Sequence, residues 1–225
     1  MVVVPSLRLA HRGDHRTHLE NSLEAILGSL EVPGCDGVEF DVRASADGVP
    51  VIVHDETLER THGLATAVGE LTAAELVGLG VARLDGVLAA LPRRAFVDIE
   101  LKESFGRPLI EILAAGRGPD LRDAVISAFD PAVLVRIRDL VPGWPRWLNT
   151  HDLTRATVAR TVEIGCLGVS VEWTALTPAN IRVARAAGLL VAAWTVTGRA
   201  DYTRLVELGV GAIFVEAEAL TDGRS

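Results

Sequence analysis

Residues 95–102 read AFVDIELK, residues 108–115 PLIEILAA and residues 124–129 AVISAF. The first and third runs are short, apolar and β-branched, and the second is an apolar helical pattern opened by a proline. Strand, helix and strand in that order, joined by short polar loops, form the repeating unit of a parallel sheet. Downstream the same alternation continues. Pro131–Val141 reads as a helix, Pro145–Thr150 as a strand, Leu153–Ile164 as a helix and Leu167–Trp173 as a strand. Pro178–Ala187 is then a helix ended by Gly188, Leu189–Val196 a strand, Ala200–Leu208 a helix ended by Gly209, and Ala212–Glu216 the last strand.

Upstream, Leu7–Ala10 is a short strand that runs into His11-Arg12-Gly13. Glu20-Asn21-Ser22 opens a helix through Leu23, Ile26, Leu27 and Leu30, which Pro33-Gly34 ends. Residues 37–55 then form a hairpin. Val38, Phe40 and Val42 face one way and Glu39, Asp41 and Arg43 the other; Asp47-Gly48 turns the chain, and Val51-Ile52-Val53 returns. Counting its first arm gives eight strands alternating with helices in a single domain spanning 1–225. That pattern predicts a (β/α)8 TIM-type barrel, distorted by the hairpin and by a short insertion after strand 2. A doubly wound open sheet is the alternative, but no Gly-rich phosphate loop follows the first strand. The insertion, residues 56–94, holds a capped helix start at Leu71–Leu76 and a helical turn at Val87–Leu91, and is expected to act as a lid.

Closing the hairpin about Asp47-Gly48 carries His54 alongside Glu39 and Asp41. Two like charges on one strand face repel, so the pair is either a solvated face or the seat of a cation. Oxygen donors without a cysteine or histidine pair suit Mg2+ or Ca2+ better than zinc. In a barrel of this type the C-terminal strand ends carry the chemistry. Those ends are His11, Arg12, Glu39, Asp41, Glu100, Lys102, Phe129, Asn149, Glu172, Trp173 and Trp194. Asp98, Glu100 and Lys102 share one strand face.

The composition narrows the partners. A net charge of −8 with no basic cluster argues against nucleic acid. No apolar run is long enough to span a bilayer, and the first residues, MVVVPSLRLAH, lack the organisation of a signal peptide, so a cytoplasmic protein is expected. Cys35 and Cys166 stand far apart and read as reduced thiols.

The ordered series His11-Arg12-Gly13, Glu20-Asn21-Ser22, Glu39-x-Asp41, His54-Asp55, Glu100-x-Lys102 and Trp194-Thr195-Val196 resembles the glycerophosphodiester phosphodiesterase family. The resemblance implies metal-dependent hydrolysis of glycerophosphodiesters to glycerol 3-phosphate and an alcohol. It implies Glu39, Asp41 and Glu100 as metal ligands, and His11 and His54 as the general acid/base pair. Arg12 and Lys102 would hold the phosphate, and Trp194 would pack against glycerol carbons. Glu172 ends a barrel strand and could equally contact metal or substrate or pack beside Trp173. His15, His18, His62 and His151 read as loop or surface histidines, His18 being the one nearest the motif.

Three departures from the family pattern stand out. The insertion is short, Thr197 replaces an Asn, and Val215-Glu216 replaces the usual Thr-Asp. Neither of the last two is expected to touch the metal or acid/base residues. A lysophospholipase D or sphingomyelinase-type activity is the alternative enzyme reading; Leu76, Val77, Leu79 and Val81 could supply its apolar rim, although burial of the lid against the barrel is the stronger expectation for them. A barrel that binds a phosphorylated ligand without turning it over is the non-enzyme alternative.

Overall fold

A computed structural model of the chain describes residues 6–221; the lead-in Met1–Pro5 lies outside them. The first half runs through β1 (Leu7–His11), α1 (Leu23–Ser29), β2 (Gly37–Ala44), β3 (Pro50–Ile52), β4 (Thr57–Leu58), α2 (Glu59–His62), β5 (Leu64–Ala67), α3 (Ala73–Gly78) and α4 (Leu84–Ala90). The second half alternates strictly. Its strands are β6 (Phe96–Leu101), β7 (Ala124–Ala128), β8 (Arg146–Thr150), β9 (Gly168–Glu172), β10 (Leu190–Val196) and β11 (Ala212–Val215). Between and after them lie α5 (Arg107–Arg117), α6 (Pro131–Leu140), α7 (Arg155–Glu163), α8 (Pro178–Ala186), α9 (Arg199–Glu207) and α10 (Ala217–Thr221).

Strand order is β1-β11-β10-β9-β8-β7-β6-β2, and β1 also pairs with β2, so the eight parallel strands close into a barrel. The expected hairpin is present as well: β3 runs antiparallel to β2, with Val42 opposite Ile52 and Ala44 opposite Pro50. The pairing continues past β3, where Val53 N donates to Asp41 O at 3.0 Å and sets His54 beside the acidic strand.

Strand parity sorts the side chains. Val38, Phe40, Val42, Val97, Ile99 and Leu101 face outward and are buried under the helices. Inside the barrel, Leu9, Val125, Trp147, Ala192, Ala212 and Phe214 form a separate apolar plug. Trp147 packs between Phe96 and Phe214, at ring-centroid distances of 5.9 and 6.5 Å. Above this plug the inward positions become polar. A filled lower barrel with a polar upper one leaves the C-terminal mouth for chemistry.

The helices start where the sequence caps them. Ser22, Thr72, Asp130, Thr154 and Thr177 each accept a hydrogen bond from a first-turn backbone N–H. The insertion has an apolar core of its own, in which Leu58, Val68, Ala73, Leu76 and Val81 pack against Val51 and Val53. Of the four apolar residues considered for a rim, Leu76 and Val81 are buried in this insertion core, whereas Val77 and Leu79 are exposed. The ribbon formed by β4 and β5 was not anticipated, since strands of two and four residues carry almost no periodicity. Both cysteines are free thiols, and no helix of the described residues is long and apolar enough to cross a membrane.

Gly13 is required by the turn that follows β1. Its φ is +81°, and a Cβ there would lie 2.5–2.6 Å from the backbone of Ala25 and Ile26. Gly13→Ala is therefore expected to cost well over ~1 kcal/mol, read as a lowered urea midpoint with an unchanged slope.

Candidate active site

The turn after β1 begins with Arg12 at φ +58°, a conformation that L residues rarely adopt. It is held by Arg12 N, which donates to Glu39 O at 2.9 Å and to Glu39 Oε2 at 3.1 Å. The guanidinium of Arg12 then reaches two carboxylates, with Nη1 2.9 Å from Glu20 Oε1 and Nε 3.2 Å from Asp41 Oδ2. Asn21, also left-handed at φ +61°, donates to Asp41 Oδ2 at 2.8 Å and accepts from Asp41 N at 3.3 Å. The Glu20-Asn21-Ser22 segment thus has three separate duties: an arginine anchor, a carboxylate clamp and a helix cap.

Glu39 and Asp41 on β2 lie opposite Asp98 and Glu100 on β6. All four carboxylates are buried. Glu39, Asp41 and Glu100 each offer an oxygen within 4.8 Å of the others. Lys102 Nζ stands 2.8 Å from Asp41 Oδ1 and also contacts Glu100, while Asn149 Nδ2 donates to Glu100 Oε2 at 3.1 Å.

The electrostatics follow from this crowding. Burial, with the charges of Asp41, Glu100 and Asp98 added, pushes Glu39 well above the usual carboxylate range. Asp98 is also raised, chiefly by burial; Ser127 opposes the rise, and the charges of Glu100 and Asp41 add to it. Asp41 goes the other way: burial works against its ionised form, but Lys102 and Arg12 together outweigh it and hold the pKa low.

Two histidines face this group. His11 Nε2 is 3.8 Å from Glu39 Oε2, and its Nδ1 is 2.5 Å from Glu216 Oε1. His54 shares a 2.6 Å hydrogen bond with Asp55, and burial lowers its pKa below the ordinary imidazole value. Asp55 also accepts from Arg60, which in turn binds Glu20, so the insertion is tied to the rim of the site.

These groups border a cavity of about 240 Å³. His11, Arg12, Glu39, His54, Glu100 and Lys102 line one side; Phe129, His151 and Trp194 form the other, with ring centroids 5.2–5.4 Å apart. Trp194 is oriented by its Nε1 hydrogen bond to Ser170 O at 3.1 Å. No residue of the 56–94 insertion lines the cavity.

The profile of the glycerophosphoryl diester phosphodiesterase family matches residues 11–107 and 100–218. The chain belongs to that family. It is similar to the glycerophosphodiester phosphodiesterase of Bacillus subtilis, 28% identical over 92% of this chain and 82% of the relative. Among solved structures, the glycerophosphodiester phosphodiesterase of Agrobacterium tumefaciens is 27% identical, covering 96% of this chain and 98% of that one, with a TM-score of 0.81. An Oleispira antarctica phosphodiesterase, solved with its product sn-glycerol 3-phosphate, shares the fold at 24% identity and a TM-score of 0.78, covering 94% and 93% of the two chains. This glycerophosphoryl diester phosphodiesterase family member is therefore an enzyme of the phosphoric diester hydrolase class.

Three expectations about the site are corrected. Glu172 does not line the cavity; its exposed carboxylate accepts from Thr174 and lies 3.1 Å from His151 Nδ1, above the rim where β9 passes into a short 3-10 turn. His15 and Glu216 do lie near the expected acid/base residues, since Glu216 contacts His11 directly and His15 Nε2 stands 3.4 Å from the same Glu216 oxygen. His151 lines the cavity although its side chain remains largely exposed. Asp98, on the same strand face as Glu100, is buried and lines the cavity as well. Its alternation with Glu100 was the available signal. For Glu216 the signal was barrel closure, which makes the end of the last strand a neighbour of the end of the first.

Proposed function

We propose that this family member hydrolyses glycerophosphodiesters to sn-glycerol 3-phosphate and an alcohol, using a divalent cation and two histidines. The observation that carries the reading is the placement of His11 and His54 around one buried carboxylate cluster in a single cavity.

The cluster suits a divalent cation. Four carboxylates face two basic groups, Arg12 and Lys102, so formal charge leaves two negatives to be matched. Glu39 Oε1 is buried with no hydrogen-bond partner, as a ligand oxygen would be. Mg2+ or Ca2+ held by Glu39, Asp41 and Glu100 would neutralise the diester and polarise its phosphoryl oxygen.

The protein's own groups supply the rest. Arg12 and Lys102 place positive charge where a phosphate would lie. His54, kept neutral by burial, is suited to accept a proton from the attacking hydroxyl. His11, on the other side, is left to protonate the departing alkoxide. The rings of Phe129 and Trp194 offer an apolar wall to the glycerol carbons. The Oleispira relative, with glycerol 3-phosphate bound on the same fold, supports this choice of product.

The test is to incubate the purified protein with glycerophosphocholine and glycerophosphoethanolamine, in Mg2+, Ca2+ or EDTA, and to assay glycerol 3-phosphate. Release with metal and none with EDTA is the expected result. No release with either substrate under any metal would overturn the assignment.

A further inference from the structure

The end of β11 contributes a group to the site that is neither metal ligand nor acid/base residue. Glu216 is fixed at both of its backbone ends: its N–H donates to Val196 O at 2.9 Å, and its carbonyl accepts from Ala219 N at 3.1 Å and Leu220 N at 3.3 Å. The side chain points back across the barrel seam, where Oε1 lies 2.5 Å from His11 Nδ1. His15 Nε2, a buried nitrogen that makes no hydrogen bond, lies 3.4 Å from the same oxygen, within ion-pair distance. The loop that carries His15 is itself held, because Asp14 N donates to Ala25 O at 2.7 Å and the Asp14 carboxylate takes Arg16 in two 2.6 Å bonds.

We propose that Glu216, steadied by His15, is the positioning residue for His11. An ionised carboxylate only accepts hydrogen bonds, so the imidazole nitrogen facing it must carry the hydrogen. With Nδ1 committed to Glu216, Nε2 is the nitrogen through which His11 takes up a proton and then, as the imidazolium, gives it to the departing alkoxide. That nitrogen, Nε2, is the one on the Glu39 side, facing the cavity. Glu216 therefore selects both the tautomer and the ring orientation that proton transfer at this site requires. His15 bears on the same oxygen and keeps the carboxylate from swinging away.

The inference rests on the function proposed above for the kinetic part of its test only. The full chain, labelled with 15N-histidine, is studied by long-range 1H–15N correlation at pH 9, and a His11→Ala spectrum assigns the His11 signals. The wild type is expected to carry hydrogen on Nδ1 of His11, and Glu216→Ala to shift the population toward hydrogen on Nε2. A wild-type His11 with hydrogen on Nε2 would overturn the inference even if Glu216→Ala did not fold. So would a Glu216→Ala protein that keeps the wild-type tautomer. In the diester assay Glu216→Ala is expected to lower kcat by on the order of 100-fold with KM within about twofold, as loss of an orienting carboxylate does in acid/base catalysis. Glu216→Asp is expected to recover part of that loss, and equal kcat in wild type and Glu216→Ala would count against the inference. Absence of turnover in the wild type would count against the function alone, since the tautomer is read without substrate.

Discussion

Glu39→Gln is expected to lower kcat/KM in saturating Mg2+ by more than about 100-fold, and in the same protein to raise Tm in EDTA. The activity loss follows from its place in the carboxylate cluster, since even outer partners of a metal ligand cost ~10- to 100-fold when removed. The stability gain follows from the electrostatics. Burial and three neighbouring carboxylates push Glu39 well above its ordinary value, so the folded chain holds this proton more tightly than the unfolded chain does. Such a group favours folding fully below the ordinary carboxylate pKa, and that contribution is lost as pH rises through the raised value. At neutral pH without metal the ionised form is a burden, and the neutral glutamine relieves it. A gain of roughly 1 kcal/mol, or about 2–4 °C in a chain of this size, is the expected scale. The difference in Tm from wild type should widen as pH is raised from about 4.5 toward neutrality. Calorimetry in chelator measures this, and an equal or lower Tm for Glu39→Gln at pH 7 would refute it.

His54→Ala is expected to reduce kcat by about 10²- to 10⁴-fold, the range for loss of a positioned acid or base, with a much smaller effect on KM. The pH profile distinguishes a base from a mere contact. Burial lowers the His54 pKa, so the acid limb of kcat/KM in the wild type should lie below the ordinary imidazole value of about 6.5. In His54→Ala that limb should disappear, leaving a flatter, lower profile. A variant with unchanged kcat, or with the same acid limb, would remove His54 from the mechanism. Asp55 is a poorer target for this test, because it also anchors Arg60 and through it Glu20.

Much of the barrel could be read in the sequence because its strands are short, apolar and punctuated by capped helices. Ser22, Thr72 and Thr177 each announce a helix by the hydrogen bond they accept. Glu39, Asp41 and His54 could be brought together on paper because they lie on one hairpin, where strand periodicity and a two-residue turn fix the geometry locally. Glu100 and Lys102 needed one further step, the parallel pairing of β2 with β6. Glu172 shows where parity stops helping: its inward phase is right, but its carboxylate turns toward His151 and does not line the cavity. Asp98 is the opposite case, an inward carboxylate in register with Glu39 whose burial only the packed barrel shows. His15 could not be placed from its neighbours in sequence, since the turn at Arg12 and Gly13 depends on left-handed backbone and on close contact with α1.

The bond between His11 and Glu216 links residues 205 positions apart. On a ribosome adding about 5–20 residues per second, a chain that has made His11 waits roughly 10–40 s for its partner. The hairpin acids and His54 are synthesised early in that interval, before Glu100 and Lys102 of β6. Contacts of such long sequence separation are slow to form because loop closure comes before its reward. On the role proposed for His11, full proton-transfer competence thus waits until the first and last strands have met, and a C-terminally clipped chain should lose at least as much activity as Glu216→Ala however well its hairpin is formed.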